Sequence, residues 1–171
     1  AAQRMTQLMD QFLSLDRLDG DLRAFRRESC NPREIVAGVA EELGQERLVL
    51  ECSDLPSRTS CDVSYLRIAL YNLLTNALRY SPPDAPVSFI ARGLPDGGIE
   101  FVVGDEGPGI APDELPKIFD RYFRGRASKT QSGAGLGLYL VDHIARLHGG
   151  SVRVESALGQ GTRFFLLLPG T

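Results

Sequence analysis

The sequence has no tryptophan, two methionines, two histidines and three cysteines in 171 residues. Cys30, Cys52 and Cys61 are odd in number and none stands in a Cys-x-x-Cys spacing, so neither a disulfide framework nor a thiolate zinc site is suggested. They read as small buried hydrophobes in a reducing, cytoplasmic setting. Long apolar runs are missing too. The longest stretch free of acidic and basic residues, Thr130 to Val141, falls far short of the roughly 20 apolar residues of a membrane span. Charge of one sign is scarce: 19 basic against 22 acidic residues leave −3, which makes nucleic acid a poor candidate partner. There is no internal repeat and no low-complexity tract. The start, Ala-Ala-Gln, lacks the charged-then-apolar plan of a signal peptide, and the chain reads as a piece of a longer protein.

What is present is an ordinary globular composition, 43% hydrophobic and 24% charged, long enough for one domain with a short attachment. Met5, Leu8, Phe12, Leu15 and Leu18 recur at spacings of three and four, an a/d-type stripe too short to stand alone in water. Its cover is its own domain, a second copy or further sequence. Residues 1–19 are read as a helix end, 20–30, polar and basic through Arg27, as a linker, and 31–171 as the domain. Asn31-Pro32 predicts a cap and first helical residue for a helix to about Gln45, followed by a strand over Leu48 to Cys52. Asp62 predicts the cap of a second helix to about Tyr80, stopped by Ser81-Pro82-Pro83. Val87 to Ala91 and Ile99 to Val103 form a hairpin around Pro95-Asp96-Gly97-Gly98. A long irregular region, Gly104 to Gly133, holds one helical patch around Glu114 to Phe123. A helix over Gly135 to Leu147 and strands over Val152 to Glu155 and Arg163 to Leu168 complete the order. The fold class is α/β: a two-layer sandwich whose mixed, mostly antiparallel sheet is covered on one face by helices.

Four places carry chemistry. Asn72, Asn76 and Arg79 share one helix stripe; two asparagines one turn apart weaken a helix without improving its packing. A solvated face would explain the stripe, but amide oxygens are also hard neutral ligands suited to Mg²⁺, and Arg79 suits phosphate. In Gly104-Asp105-Glu106-Gly107-Pro108-Gly109-Ile110, the glycines permit either a tight turn or close approach of a ligand, and Asp105 stands where strand becomes loop. Its carboxylate is an acceptor that suits the exocyclic amine of adenine and rejects the carbonyl of guanine. Gly133-Ala134-Gly135-Leu136-Gly137-Leu138 opens a helix whose N–H groups face phosphates. A dinucleotide fingerprint would follow directly on a strand; here a charged loop precedes it. Between the glycine stretches, Arg121, Arg124, Arg126 and Lys129 suit either a phosphate clamp or a solvated charge run, with Phe119, Tyr122 and Phe123 as packing.

In order, NLLTNALRYS from Asn72, DEGPGI from Asp105, IFDRYFRG from Ile118, GAGLGL from Gly133 and GQGTRFFLLLP from Gly159 resemble the N box, first glycine box, F box, second glycine box and closing strand of the sensor histidine kinase catalytic domain. That domain belongs to the superfamily of DNA gyrase, the heat-shock chaperone ATPase and the mismatch-repair ATPases, with the Bergerat ATP-binding fold. The resemblance covers about Pro32 to Pro169 and implies ATP and Mg²⁺ as ligands. It assigns Asn76 to the metal, with Asn72 in support, and places Arg79 and Tyr80 beside phosphates and ribose or adenine. Asp105 would hold the adenine amine, Gly107, Gly109 and Ile110 would line the base, and Thr162 would add a polar contact. Arg124, and less directly Arg121, would reach the terminal phosphate, and Gly133, Gly135, Leu136, Gly137 and Leu138 would cradle the phosphates. Arg79 stands where the family often has Lys, and Glu106 where it often has Asn.

The N-terminal stripe is similar to the end of the second helix of the family's dimerisation and phosphoacceptor hairpin. The resemblance implies transfer of the γ-phosphoryl of Mg-ATP to a histidine of that hairpin, then to a response-regulator aspartate, in a homodimeric parent at the inner membrane. His143 and His148 are both read as structural, so the chain is expected to bind ATP without phosphorylating itself. A serine kinase of the same fold would lack the amphipathic helix, and a gyrase- or chaperone-like switch calls for large further domains. A domain that only binds a partner would have lost Asn76, Asp105 or the glycines.

Overall fold

The computed structural model describes residues 25–44, 46–126 and 135–170. The Asn31 side chain accepts the N–H of Arg33 and opens helix α1 (Pro32–Leu43), with Pro32 supplying the preset φ of the first turn. The helix stops short of Gln45 because Gly44 takes φ +56 and returns its N–H to Ala40. Asp62 opens the longest helix, α2 (Val63–Tyr80), one carboxylate oxygen accepting from Tyr65 and the other from Arg26. Ser81, in extended conformation ahead of Pro82, ends it.

The strands are β1 (Glu28–Cys30), β2 (Leu48–Ser53), β3 (Thr59–Cys61), β4 (Val87–Gly93), β5 (Ile99–Asp105), β6 (Ser151–Ser156) and β7 (Thr162–Leu168), with helix α3 (Gly137–Leu147) ahead of β6. Five of them form one sheet in the order β2-β4-β5-β7-β6. Only the β2–β4 pair is parallel, so the sheet is mixed and mostly antiparallel, as expected. Strand alternation sends Phe89 of β4, Phe101 and Val103 of β5 and Phe164 and Leu166 of β7 into one core with Leu66, Leu70, Leu73 and Leu74 of α2 and Leu140, Val141 and Ile144 of α3. The sheet's other face carries Ile90, Val102 and Phe165, whose ring is roofed by the Arg153 guanidinium at 3.7 Å.

Three expectations shift. Of the linker placed at 20–30, residues 28–30 are β1, paired antiparallel with β3, a strand too short for a periodicity signal. Just before it, Phe25 packs edge-on against Tyr65 and His148, with ring centroids 5.8 and 4.9 Å apart, and the Arg27 guanidinium donates to the His148 carbonyl at 2.7 Å. The helical patch at 114–123 contracts to a single 3₁₀ turn, Leu115–Lys117, around Pro116. Helix α3 starts at Gly137 and not at Gly135, whose φ of +71 is left-handed. The stripe at 5–18 lies outside the described residues.

His148 is structural, as its place at a helix end suggests. It is 1% exposed, its Nε2 accepts the backbone N–H of Asp62 at 3.0 Å and its Nδ1 donates to Ile144 at 2.8 Å. One ring therefore ties the end of α3 to the cap of α2. Burial holds its pKa below the usual histidine range, which keeps it neutral for this double role.

Candidate nucleotide-binding site

The site is built along α2. At the helix's C-terminal end, Asp105 closes β5 opposite Thr162, the first residue of β7. Its Oδ1 accepts the N–H of Gly107 at 2.8 Å, and the N–H of Thr162 also bonds its carboxylate. Burial pushes the carboxyl above its ordinary range, and these two donors pull it back. A Cβ on Gly107 would lie 2.8 Å from the Tyr80 carbonyl and 2.9 Å from Asp105 Oδ1, so only glycine lets this loop lie against the end of α2. The Glu106 N–H reaches the hydroxyl of buried Ser81 at 3.3 Å, fastening the loop to the helix terminus.

Ser156 is a residue that motif reading misses. Its Oγ accepts the N–H of Ile110 at 2.8 Å, donates to the Gly161 carbonyl at 2.9 Å and meets the Thr162 hydroxyl at 2.8 Å. With its single hydrogen used on Gly161, Ser156 accepts from Thr162, which keeps Thr162 lone pairs for a donor. One serine at the end of β6 thus sets both Ile110 and Thr162; no spacing signal marks it.

Two turns back along α2, Asn72 is 4% exposed and its Nδ2 donates to the Ile68 carbonyl at 2.9 Å. That bond turns Oδ1 toward the first residue of α3, 2.9 Å from where a Cβ on Gly137 would sit. The asparagine stripe and the second glycine box therefore meet. Asn76, one turn on, is half-buried, and its carboxamide has no hydrogen-bond partner among the described residues. An unengaged amide oxygen beside a buried one fits Mg²⁺, which takes few protein oxygens and completes its shell with water and phosphate. No cluster of three or more His, Cys, Asp or Glu that could hold a metal exists among the described residues.

Arg79 and Arg124 are exposed, and Tyr80 and Leu138 are half-buried. Arg121 lies over the rings of Tyr122 and Tyr139, 5.2 and 5.7 Å from their centroids, which seats it against the first turn of α3. Leu136 precedes that turn, and Gly135 packs so tightly that a Cβ would lie 2.6 Å from the Phe123 carbonyl. Arg126 does not join a clamp here: it donates to both oxygens of Asp113, at 2.7 and 2.8 Å, and to Glu114 at 2.8 Å. Gly133 and Lys129 lie outside the described residues.

A two-layer sandwich with an acidic acceptor at one end of a long helix and a buried amide, Asn72, against a second helix's N-terminus defines a nucleotide-binding domain of the α/β class. Residues 61–171 match the family described as Histidine kinase-, DNA gyrase B-, and HSP90-like ATPase. The sensor-like histidine kinase SenX3 of Mycobacterium tuberculosis is 34% identical over 178 residues, covering 98% of this chain and 42% of that protein. The kinase/phosphatase MprB of Mycolicibacterium paratuberculosis is 42% identical over 113 residues, 64% of this chain and 22% of that protein. Among solved structures, a mycobacterial sensor histidine kinase MprB superposes with a TM-score of 0.74 at 32% identity, over 84% of this chain and 98% of that one. Full-length ShkA in complex with AMPPNP gives 0.79 at 28% identity, over 98% of this chain and 36% of that one. The chain belongs to this ATPase family, as an ATP-binding catalytic domain of the histidine kinase type. It spans less than half the length of the curated relatives it matches.

Proposed function

We propose that this domain binds Mg-ATP along α2 and, within a longer sensor kinase, presents the γ-phosphoryl to a histidine supplied by a dimerisation hairpin, from which it passes to an aspartate of a response regulator. The observation that carries the reading is the spacing of the two contacts on α2. Asn72, against Gly137, and Tyr80, whose carbonyl lies against Gly107 of the Asp105 loop, are eight residues apart, about 12 Å of helix rise. That matches the reach of an extended nucleotide from base to phosphates. ShkA, similar over nearly all of this chain, is a protein whose structure contains an ATP analogue.

In this reading Asp105 accepts the adenine amine while Thr162 offers a lone pair beside it, Gly107 and Gly109 let the backbone approach the base, and Ile110 adds an apolar side chain to the lining. The N–H groups opening α3 face the phosphates. Asn76 and Asn72 would hold Mg²⁺, which supplies charge neutralisation on the phosphates when bound. In this reading Arg79 and Arg124 would add cationic donors to the phosphates, and Arg121, stacked on Tyr122 and Tyr139, borders the first turn of α3. The domain's contribution to phosphoryl transfer is positioning and electrostatics, since the nucleophile comes from elsewhere. The parent is a homodimer with this domain on the cytoplasmic side of the inner membrane; no helix among the described residues is long and apolar enough to cross a membrane.

Calorimetric titration of Mg-ATP and Mg-GTP into the chain and its Asp105→Ala variant tests the proposal. Binding of ATP but not GTP, lost in the variant, is the expected result. Equal binding of both nucleotides, or retention in the variant, overturns the adenine assignment.

A further inference from the structure

Two of the three cysteines lie together, away from the nucleotide site. Cys30 ends β1 and Cys61 ends β3; the register sets Cys30 opposite Thr59 and Cys61 opposite Glu28, so the thiols are diagonal neighbours across a two-stranded ribbon. Their Sγ atoms stand 2.8 Å apart, within about 0.8 Å of a disulfide bond length. Both are buried, Cys30 at 8% exposure and Cys61 at 0%. The third, Cys52, lies on β2 of the other sheet and is half-buried. Reading all three as inert packing overlooks this juxtaposition.

The ribbon's position gives the pair a consequence. Cys61 is followed by Asp62, which caps α2 and also accepts from Arg26, while Cys30 is followed by Asn31, which caps α1. A link between the two sulfurs would therefore fix the incoming segment, already held by Phe25 and Arg27, to the amino end of the helix that carries Asn72 and Asn76.

We propose that Cys30 and Cys61 are a dithiol oxidation site, which a hydroperoxide converts into an intramolecular disulfide fastening β1 to β3. In the first step the sulfur of Cys30, the less buried of the two, attacks a peroxide oxygen. An S–O bond forms, the O–O bond breaks, and the leaving alkoxide or hydroxide takes the thiol proton. In the second step the sulfur of Cys61 displaces hydroxide from the sulfenic acid; an S–S bond forms and the Cys61 proton departs with hydroxide as water. Two thiols are oxidised by two electrons in all, and the peroxide is reduced by two. Burial, together with the adjacent Cys30 thiol, pushes the Cys61 thiol up, which disfavours it as the first nucleophile; its place in the second step rests on its contact with the Cys30 sulfur. The partners are 31 positions apart in the chain, so the closed loop contains all of α1 and β2 and restricts the unfolded ensemble substantially.

The test treats the full chain with hydrogen peroxide under native conditions, blocks remaining thiols by alkylation and maps the peptides. The expected product has lost two hydrogens, carries a Cys30–Cys61 cross-linked peptide, reverts with dithiothreitol and melts roughly 10 °C higher than the reduced chain. It forms equally in Cys52→Ser and not in Cys30→Ser or Cys61→Ser. Cys52 in the wild type serves as an internal standard. If Cys30 and Cys61 both remain alkylatable once Cys52 is fully oxidised, or become sulfinic acids without a cross-link, the proposal is overturned.

Discussion

The carboxamide oxygen of Asn72 faces Gly137 so closely that the first Cβ of α3 has no room: the gap would be 2.9 Å, and the amide cannot swing away without breaking its bond to the Ile68 carbonyl. Replacing Gly137 by Ala ought to strengthen a helix by up to about 1 kcal/mol. Here the methyl displaces Asn72, and we expect the variant to fold while its affinity for Mg-ATP falls about tenfold, equivalent to about 1.4 kcal/mol. Titration calorimetry alongside a thermal melt separates the two effects.

Asp105 gives opposite signs for stability and binding. Because burial raises its carboxyl in the folded state, the native domain binds more protons than the unfolded chain between the ordinary carboxylate range and the raised value, and stability falls as pH rises through that window. Asp105→Asn removes the buried charge, so its unfolding midpoint at neutral pH should exceed that of the wild type. The same change leaves a single acceptor oxygen, which Gly107 N–H already engages, and puts an NH2 donor in place of the other, so ATP affinity should drop about tenfold. In the wild type, acidification through the raised value should weaken ATP binding before the domain unfolds.

His148 works the other way. Its folded pKa lies below the usual value of 6.5, so its contribution to stability is complete above that pH and is lost as pH falls through the folded value. Charging the ring removes the acceptor of the Asp62 N–H and sets a cation beside Arg27. Urea denaturation at a series of pH values should show a stability decline on the acid side of neutrality that is shallower in His148→Gln.

Much of this was legible from residues. Asn31, Asp62 and Pro82 fix helix ends through local chemistry, and alternation fixes the inward faces of β4, β5 and β7. The five motifs locate Asp105 and Asn72 because each departs from what its element would choose for stability alone. What was not legible depends on distant neighbours. The three-residue strands β1 and β3 exist only because they pair with each other, and Ser156 acts only because Ile110 and Thr162 converge on it. The commitment of Arg126 to Asp113 and Glu114 is likewise a tertiary fact, invisible in a run of cations.

Gly109 should be the least replaceable glycine of its loop. Its φ is +74, and an added Cβ would lie 2.0 Å from the Ala157 carbonyl, which belongs to backbone and cannot rotate aside. Gly109→Ala should cost more than the roughly 1–3 kcal/mol of a strained backbone conformation alone. Its chemical denaturation midpoint should drop accordingly, with the loop contact between Pro108 and Gly159 the first to lose amide protection.

The helix that joins these effects has 18 residues and a rise of about 27 Å. Phe25, Arg26 and His148 grip its amino end, whereas Gly107 and Ser81 meet its carboxyl end. One rigid element therefore connects the segment at Phe25 and Arg26 with the adenine-side loop at Gly107, so the two ends of the domain share a single mechanical reference.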